Sequence, residues 1–230
     1  MWTSIEVPGI ATIALLETRL DRDGPEVASA TRSALGRDQA GWLAATAAGT
    51  DTPWIVVASP SMLTPMHGME FEEDATWALR KLKLRSLTED APYHDLWDSF
   101  GSERDAVLRS LIASPATPLI LSGDVHVSVA SRPSVDGVTV GPEWVTSSVT
   151  SPNLDDKCGW EPRTRSLHYE ASVKRVVEAI RWCDFDSHGY MIVTVSSSRA
   201  AAEWWAVDTV LQPSDSAQRV HEDTWTRGEP

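Results

Sequence analysis

Apolar residues in this chain fall into short runs cut by turn-forming residues, and the spacing between runs changes near the middle. Residues 10–16, Ile-Ala-Thr-Ile-Ala-Leu-Leu, are β-branched and apolar and lead into Glu17-Thr18-Arg19. This is the pattern of a buried strand that delivers polar groups at its tip. A polar, Asp-rich loop follows through Ser33. Leu35, Gln39, Trp42 and Leu43 then recur on one face of a helix predicted over residues 36–45. Residues 54–59 form a second buried strand, stopped by Pro60. Strand, helix and strand in that order predict an α/β sheet.

Residues 61–100 are irregular, with one or two helical turns over 77–84, and a long stretch of this kind reads as a functional loop. A helix is predicted over 102–112, with Ser102 as its N-cap and Val107, Leu108, Leu111 and Ile112 as its apolar stripe. The run 118–121 is the next buried strand. Beyond it the chain turns strand-rich, with strands predicted at 127–131, 138–140, 144–149, 190–195 and 202–210. Turns such as Asp136-Gly137 separate several of them, and residues 172–181 form the one helix among them. Residues 1–211 read as one domain, and 212–230 as a polar, poorly ordered tail.

Charge narrows the partners. The 230 residues carry a formal net charge of −13, which repels a nucleic-acid backbone. A small phosphate ester remains compatible, because bound cations can invert the local field. No run approaches the length of a membrane span, and the amino terminus shows no signal-peptide pattern. Cys158 and Cys183 are the only cysteines. They could form one bridge or stand as two unrelated thiols, and no CxxC pattern is present.

The candidate chemistry sits in Ser122-Gly123-Asp124-Val125-His126, directly after the third buried strand. In an extended segment Asp124 and His126, at i and i+2, point the same way. The carboxyl ends of strands in open α/β sheets are where functional groups gather. Carboxylate and imidazole are both suited to divalent or trivalent metals. On local grounds a turn with Asp124 capping neighbouring amides is an equal reading. His67, His94, His168 and His221 have no partner at ligand spacing. Ser147 and Ser148 lack the glycine-flanked elbow of a serine hydrolase. Trp204-Trp205 on a late strand places one ring on each face.

Several segments recur together in order. They are Leu15-Leu16-Glu17-Thr18-Arg19; Leu35-Gly36 with Gln39 and Trp42-Leu43; Trp54; Trp97-Asp98-Ser99-Phe100 with Glu103-Arg104; Ser122 to His126; Ser147 to Pro152; and His188-Gly189-Tyr190 with Glu203-Trp204-Trp205. This succession resembles the carboxyl-terminal half of the PhoD-like phosphatases (alkaline phosphatase D), within the calcineurin-like metallophosphoesterases. The resemblance implies an α/β fold, the second half of a metallophosphoesterase-type β-sandwich flanked by helices. It implies hydrolysis of phosphate monoesters and diesters with iron and calcium or a similar pair of ions. Asp124 and His126 take the places of catalytic metal ligands. Arg19 and His188 fall where they could touch substrate or support the ligands.

The blocks that supply the family's other ligands are absent. These are a cysteine, a glycine-aspartate block with a nearby tyrosine, and an aspartate-aspartate-histidine block with a nearby asparagine. Asp51 and Asp90 lack that context, and Ser59-Pro60 stands where the family often has Asn and Gln. Two side chains cannot hold two ions. The chain therefore reads as part of a longer enzyme, as a half completed by another chain, or as a non-catalytic remnant used for folding or binding. Half a sandwich leaves a sheet face uncovered, so self-association into a homo-oligomer, or pairing with a missing amino-terminal half, is expected.

Overall fold

A computed structural model describes residues 1–65 and 96–228. The helical turns expected over 77–84, and His67, Asp90 and His94, lie outside the described residues. Seven strands form a mixed sheet in the order β1 (Thr3–Val7), β2 (Ala11–Leu15), β3 (Trp54–Ser61), β4 (Thr117–Gly123), β8 (Glu143–Val145), β5 (Ser128–Ser131) and β9 (Ile180–Asp184). Strands β2, β3, β4 and β8 run parallel, while β1, β5 and β9 are antiparallel to their neighbours. Strands β10 (Gly189–Val195), β11 (Arg199–Val207) and β12 (Ala217–Thr226) make a separate antiparallel sheet, and β6 (Ser134–Val135) and β7 (Val138–Thr139) a small hairpin.

The continuous apolar runs of β3 and β4 follow from burial on both faces. Ala14, Ile55, Val57 and Ile120 face the helices α1 (Gly36–Gly49) and α2 (Gly101–Ile112), where Leu43, Ala47, Leu108 and Leu111 meet them. Ala11, Trp54, Val56, Leu119 and Trp144 face the three-stranded sheet and pack on Ala200, Ala202, Trp204 and Trp225. Trp144 and Trp204 meet edge to face at 6.5 Å, a preferred aromatic geometry. Their indole N–H groups find partners, Trp204 Nε1 donating to the Val145 carbonyl at 2.9 Å and Trp144 Nε1 to Asp223 at 2.7 Å. Trp205 points the other way and stacks on Tyr190. Two helices, α3 (Leu154–Cys158) and α4 (Arg165–Val176), cover the β5–β9 end of the large sheet.

Several expectations change, among them that the strand predicted at 144–149 ends at Val145 and that two helices, not one, lie among the later strands. Residues 217–226, expected in a poorly ordered tail, form β12 with Trp225 buried. Its inward row is His221, Asp223 and Trp225, so the period of two is present but is carried partly by polar side chains. Asp223 is held there by Arg132 at 2.8 Å and by Trp144. The helix expected to reach residue 181 ends at Val176, and Ile180–Asp184 instead pairs with β5. Ser102 is not an N-cap, because α2 begins at Gly101 directly after a 3₁₀ turn, Trp97–Phe100. Glu103 reaches out of α2 to accept the N–H groups of Ala34 and Leu35, at 2.5 and 3.1 Å, at the start of α1.

Gly189 opens β10 where two backbones touch. A Cβ there would lie 2.0 Å from the Trp205 carbonyl oxygen and 3.0 Å from its carbon. Gly189→Ala must push β10 off β11, and a fall in stability of roughly 1–3 kcal/mol by urea titration is expected. An unchanged midpoint would show that the strands part freely.

Candidate functional site

The parallel strands β2, β3 and β4 end side by side. Leu16 N–H donates to the Ala58 carbonyl at 3.0 Å, which ties the tip of β2 to β3. The next residue is gripped from α1. Gln39 is fully buried, its Oε1 accepts Glu17 N–H at 2.8 Å, and its Nε2 donates to the Glu17 carbonyl at 2.6 Å. The Glu17 carboxylate then accepts the N–H groups of Arg19 and Leu20 at 2.8 and 2.7 Å. So placed, Arg19 sends its Nη2 to Asp124 Oδ1 at 3.2 Å.

Asp124 follows β4, but the extended geometry expected for Asp124 and His126 is not what forms. Both residues are left-handed, with φ of 71° and 59°, and Val125 N–H closes a tight turn onto the Gly123 carbonyl at 2.9 Å. The alternation of a strand therefore does not govern these two side chains. Asp and His are among the non-glycine residues that tolerate this region best, and such backbone clusters at functional sites.

His126 Nδ1 lies 3.2 Å from the Pro152 carbonyl oxygen. A carbonyl only accepts, so the contact is a hydrogen bond with the hydrogen on Nδ1, and in the neutral ring Nε2 then keeps its lone pair. Metal-bound histidines are usually held in this way. His188 lies across the same loop, with Nδ1 3.0 Å from the Ser148 carbonyl and Nε2 2.9 Å from Asp156 Oδ2. Ser148 Oγ accepts the N–H groups of Thr150 and Ser151, which makes it a turn anchor. The structure thus puts Arg19 on Asp124, turns His126 toward residues 148–153, and sets His188 behind that loop.

Among the described residues no group of three or more His, Cys, Asp or Glu side chains could hold a metal ion. Asp124 already shares Oδ1 with a guanidinium, and His126 offers one nitrogen. These donors do not by themselves fit a two-metal centre, in which each ion needs several ligands.

Supporting residues escaped the sequence reading. Glu143 is fully buried where β8 begins, and its carboxylate accepts Leu63 N–H, Thr64 N–H, Thr64 Oγ1 and Ser122 Oγ at 2.6–2.7 Å. The signal available was a charged residue inside a buried strand next to the Asp124 strand. Gln39 had a similar signal as a polar member of an apolar helix face.

A second polar cluster gathers beneath α3 and α4. Arg163 pairs with Glu170 at 2.6 Å and Asp184 at 2.9 Å, and Asp186 accepts from Ser166 Oγ and Arg163 N–H. Asp155 Oδ1 and Asp186 Oδ1 are buried without a hydrogen-bond partner. Burial, together with the charge of Asp186, holds the Asp155 carboxyl above the ordinary aspartate range. A folded value above the unfolded one means that this carboxyl adds stability at acid pH and loses it as pH rises through the folded value. Asp155→Asn removes the buried negative charge while keeping the side chain's shape, and is therefore expected to stabilise the chain at neutral pH. The gain should vanish on acidification below the ordinary aspartate value. Paired denaturant titrations at both pH values check it, and a loss at neutral pH would sink it.

Cys158 and Cys183 do not form a disulfide. Burial pushes the Cys183 thiol up to about 12, so it is inert packing. His221, which has no partner at ligand spacing, is half-buried and stacked on Trp182 at 4.2 Å. No helix among the described residues is long and apolar enough to cross a membrane.

The family model described as PhoD-like phosphatase matches residues 1–204. A solved structure titled "Structure of PhoD" superposes with a TM-score of 0.75 at 19% sequence identity, over 98% of this chain and 42% of that one. The chain therefore spans less than half the length of that relative, and the likeness carries the mixed α/β fold. A search of curated proteins finds no match.

Proposed function

Since the chain belongs to the PhoD-like phosphatase family, we propose that it serves metal-dependent hydrolysis of phosphate monoesters and diesters and carries only part of the metal site. The observation that bears most weight is the strand-end constellation: Asp124 after β4, Arg19 from β2 against it, and His126 with Nε2 open. Asp124 and His126 are the metal donors this chain contributes. The half-exposed Arg19 guanidinium is the group that would meet the anionic ester, and its planar fork suits a phosphate. Iron and calcium, or a similar pair, would supply the water activation and charge neutralisation that phosphoester hydrolysis needs. The remaining donors come from outside the described residues. With a net charge of −13, small esters rather than polynucleotides are the substrates.

The test is hydrolysis of p-nitrophenyl phosphate and bis-p-nitrophenyl phosphate by the purified chain, with and without added iron and calcium, alongside bound-metal analysis. Low turnover that depends on added metal is expected. Absence of both bound metal and turnover would replace this reading with that of a non-catalytic module. Tight stoichiometric binding of two ions with high turnover would overturn the partial-site claim.

The surface bears on partners. In β1, Thr3, Ile5 and Val7 continue the row of Ala11, Ile13 and Leu15, yet all five residues of the strand are exposed. This open edge is where a complementary segment or a second copy would add. Concentration-dependent association by light scattering is expected, and Ile5→Lys should reduce it. A strictly monodisperse wild-type monomer would count against an uncovered half.

A further inference from the structure

One imidazole ties both ends of the loop that faces His126. At the loop's start, His188 Nδ1 reaches the Ser148 carbonyl at 3.0 Å, and Gly189 N–H reaches the same oxygen at 3.3 Å. At its end, His188 Nε2 lies 2.9 Å from Asp156 Oδ2, and that oxygen also accepts Asn153 N–H at 3.1 Å. Asp156 sits in the first turn of α3, which begins immediately after Asn153. Between the two anchors is the Pro152 carbonyl that accepts from His126 Nδ1. Inside the loop, Ser148 Oγ holds the N–H groups of Thr150 and Ser151 at 3.0 and 2.9 Å. The His188 side chain is only 14% exposed, whereas Asp156 is 47% exposed.

The partners dictate where hydrogens lie. The Ser148 carbonyl can only accept, so His188 Nδ1 donates. An ionised carboxylate also only accepts, so the contact of His188 Nε2 with Asp156 Oδ2 is a hydrogen bond whenever Nε2 carries a hydrogen. A ring bonded at both nitrogens has no rotational freedom left, and it sets the distance between the loop's two ends.

We propose that His188 and Asp156 are positioning residues: by pinning both ends of the 148–153 loop they hold the Pro152 carbonyl against His126, which fixes the His126 tautomer and leaves Nε2 open as the donor. Neither residue touches a reacting atom. The functional meaning rests on the reading of His126 as a metal donor, while the structural claim stands apart from it. If His188 only secured the start of β10, the His126 ring would be indifferent to it.

The experiment is a long-range proton–nitrogen correlation of the imidazoles in the ¹⁵N-labelled full chain. Wild type is expected to show neutral His126 as the Nδ1–H tautomer, the form that free histidine disfavours. In His188→Leu, His126 should revert to a mixture dominated by Nε2–H, and affinity for cobalt(II) added alone should fall about tenfold, the scale of losing a residue that orients a ligand. Asp156→Asn should move the signal the same way but less, and it decides the matter should His188→Leu fail to fold. His221, stacked in the other sheet, reports in the same spectrum that the fold persists. A His126 that stays Nδ1–H in folded variants, or is Nε2–H in wild type, overturns the proposal. A tautomer change in a chain whose His126 binds no cobalt would uphold the positioning role and overturn the metal reading instead.

Discussion

Glu143→Ala will cost the chain about 3–5 kcal/mol, roughly a fifth or more of the stability of an ordinary domain. The carboxylate is fully buried, and each of its two oxygens accepts two hydrogen bonds. Removing it leaves the N–H groups of Leu63 and Thr64 pointing into the space it filled. Backbone donors cannot turn away, and each buried orphan costs about 1–3 kcal/mol. The hydroxyls of Thr64 and Ser122 can rotate, so they add less, while the cavity adds more. Glu143→Gln keeps the volume but turns an NH₂ group toward donors on one side, so a smaller loss of about 1–3 kcal/mol is expected. Urea titration measures both, and a shift under 1 kcal/mol for the alanine variant would show that the four donors find water. Ser122 precedes Gly123-Asp124, so the same change should loosen the candidate site.

Asp124→Asn is the second. Any metal-dependent phosphoester hydrolysis should fall by at least about 10²-fold, since an anionic ligand and its charge are removed while size is kept. The side chain is about one-third exposed and its contact to Arg19 is a surface ion pair, so stability should change by less than about 1 kcal/mol. Loss of turnover with an intact urea midpoint separates a site role from a folding role. Unchanged turnover would remove Asp124 from the chemistry, and a collapsed midpoint would make it a structural turn.

Sequence and structure agree best where burial is symmetrical. The runs that become β2, β3 and β4 are apolar throughout because helices cover one face and the three-stranded sheet the other. They fail to agree at margins. β1 is short, wholly exposed and holds Ser4 and Glu6 between its apolar residues, and β12 spends inward positions on His221 and Asp223. Both read as polar chain until their neighbours are known. At residues 177–181 a valine-rich helical period runs straight into a strand, and pairing with β5 decides the boundary.

For the site, the chain alone placed Asp124 and Arg19 at strand tips, since a strand's end is written in where its apolar run stops. It could not say that the two would meet, because their contact joins residues 105 apart in sequence. Nor could it show that Asp124 and His126 turn left-handed, that Gln39 grips Glu17, or that His188 bridges Ser148 to Asp156. Periodicity and composition are properties of neighbours along the chain and set which segments become strands and helices. Hydrogen bonds between remote side chains arise only once packing brings their strands together, and those bonds aim the groups of the candidate site.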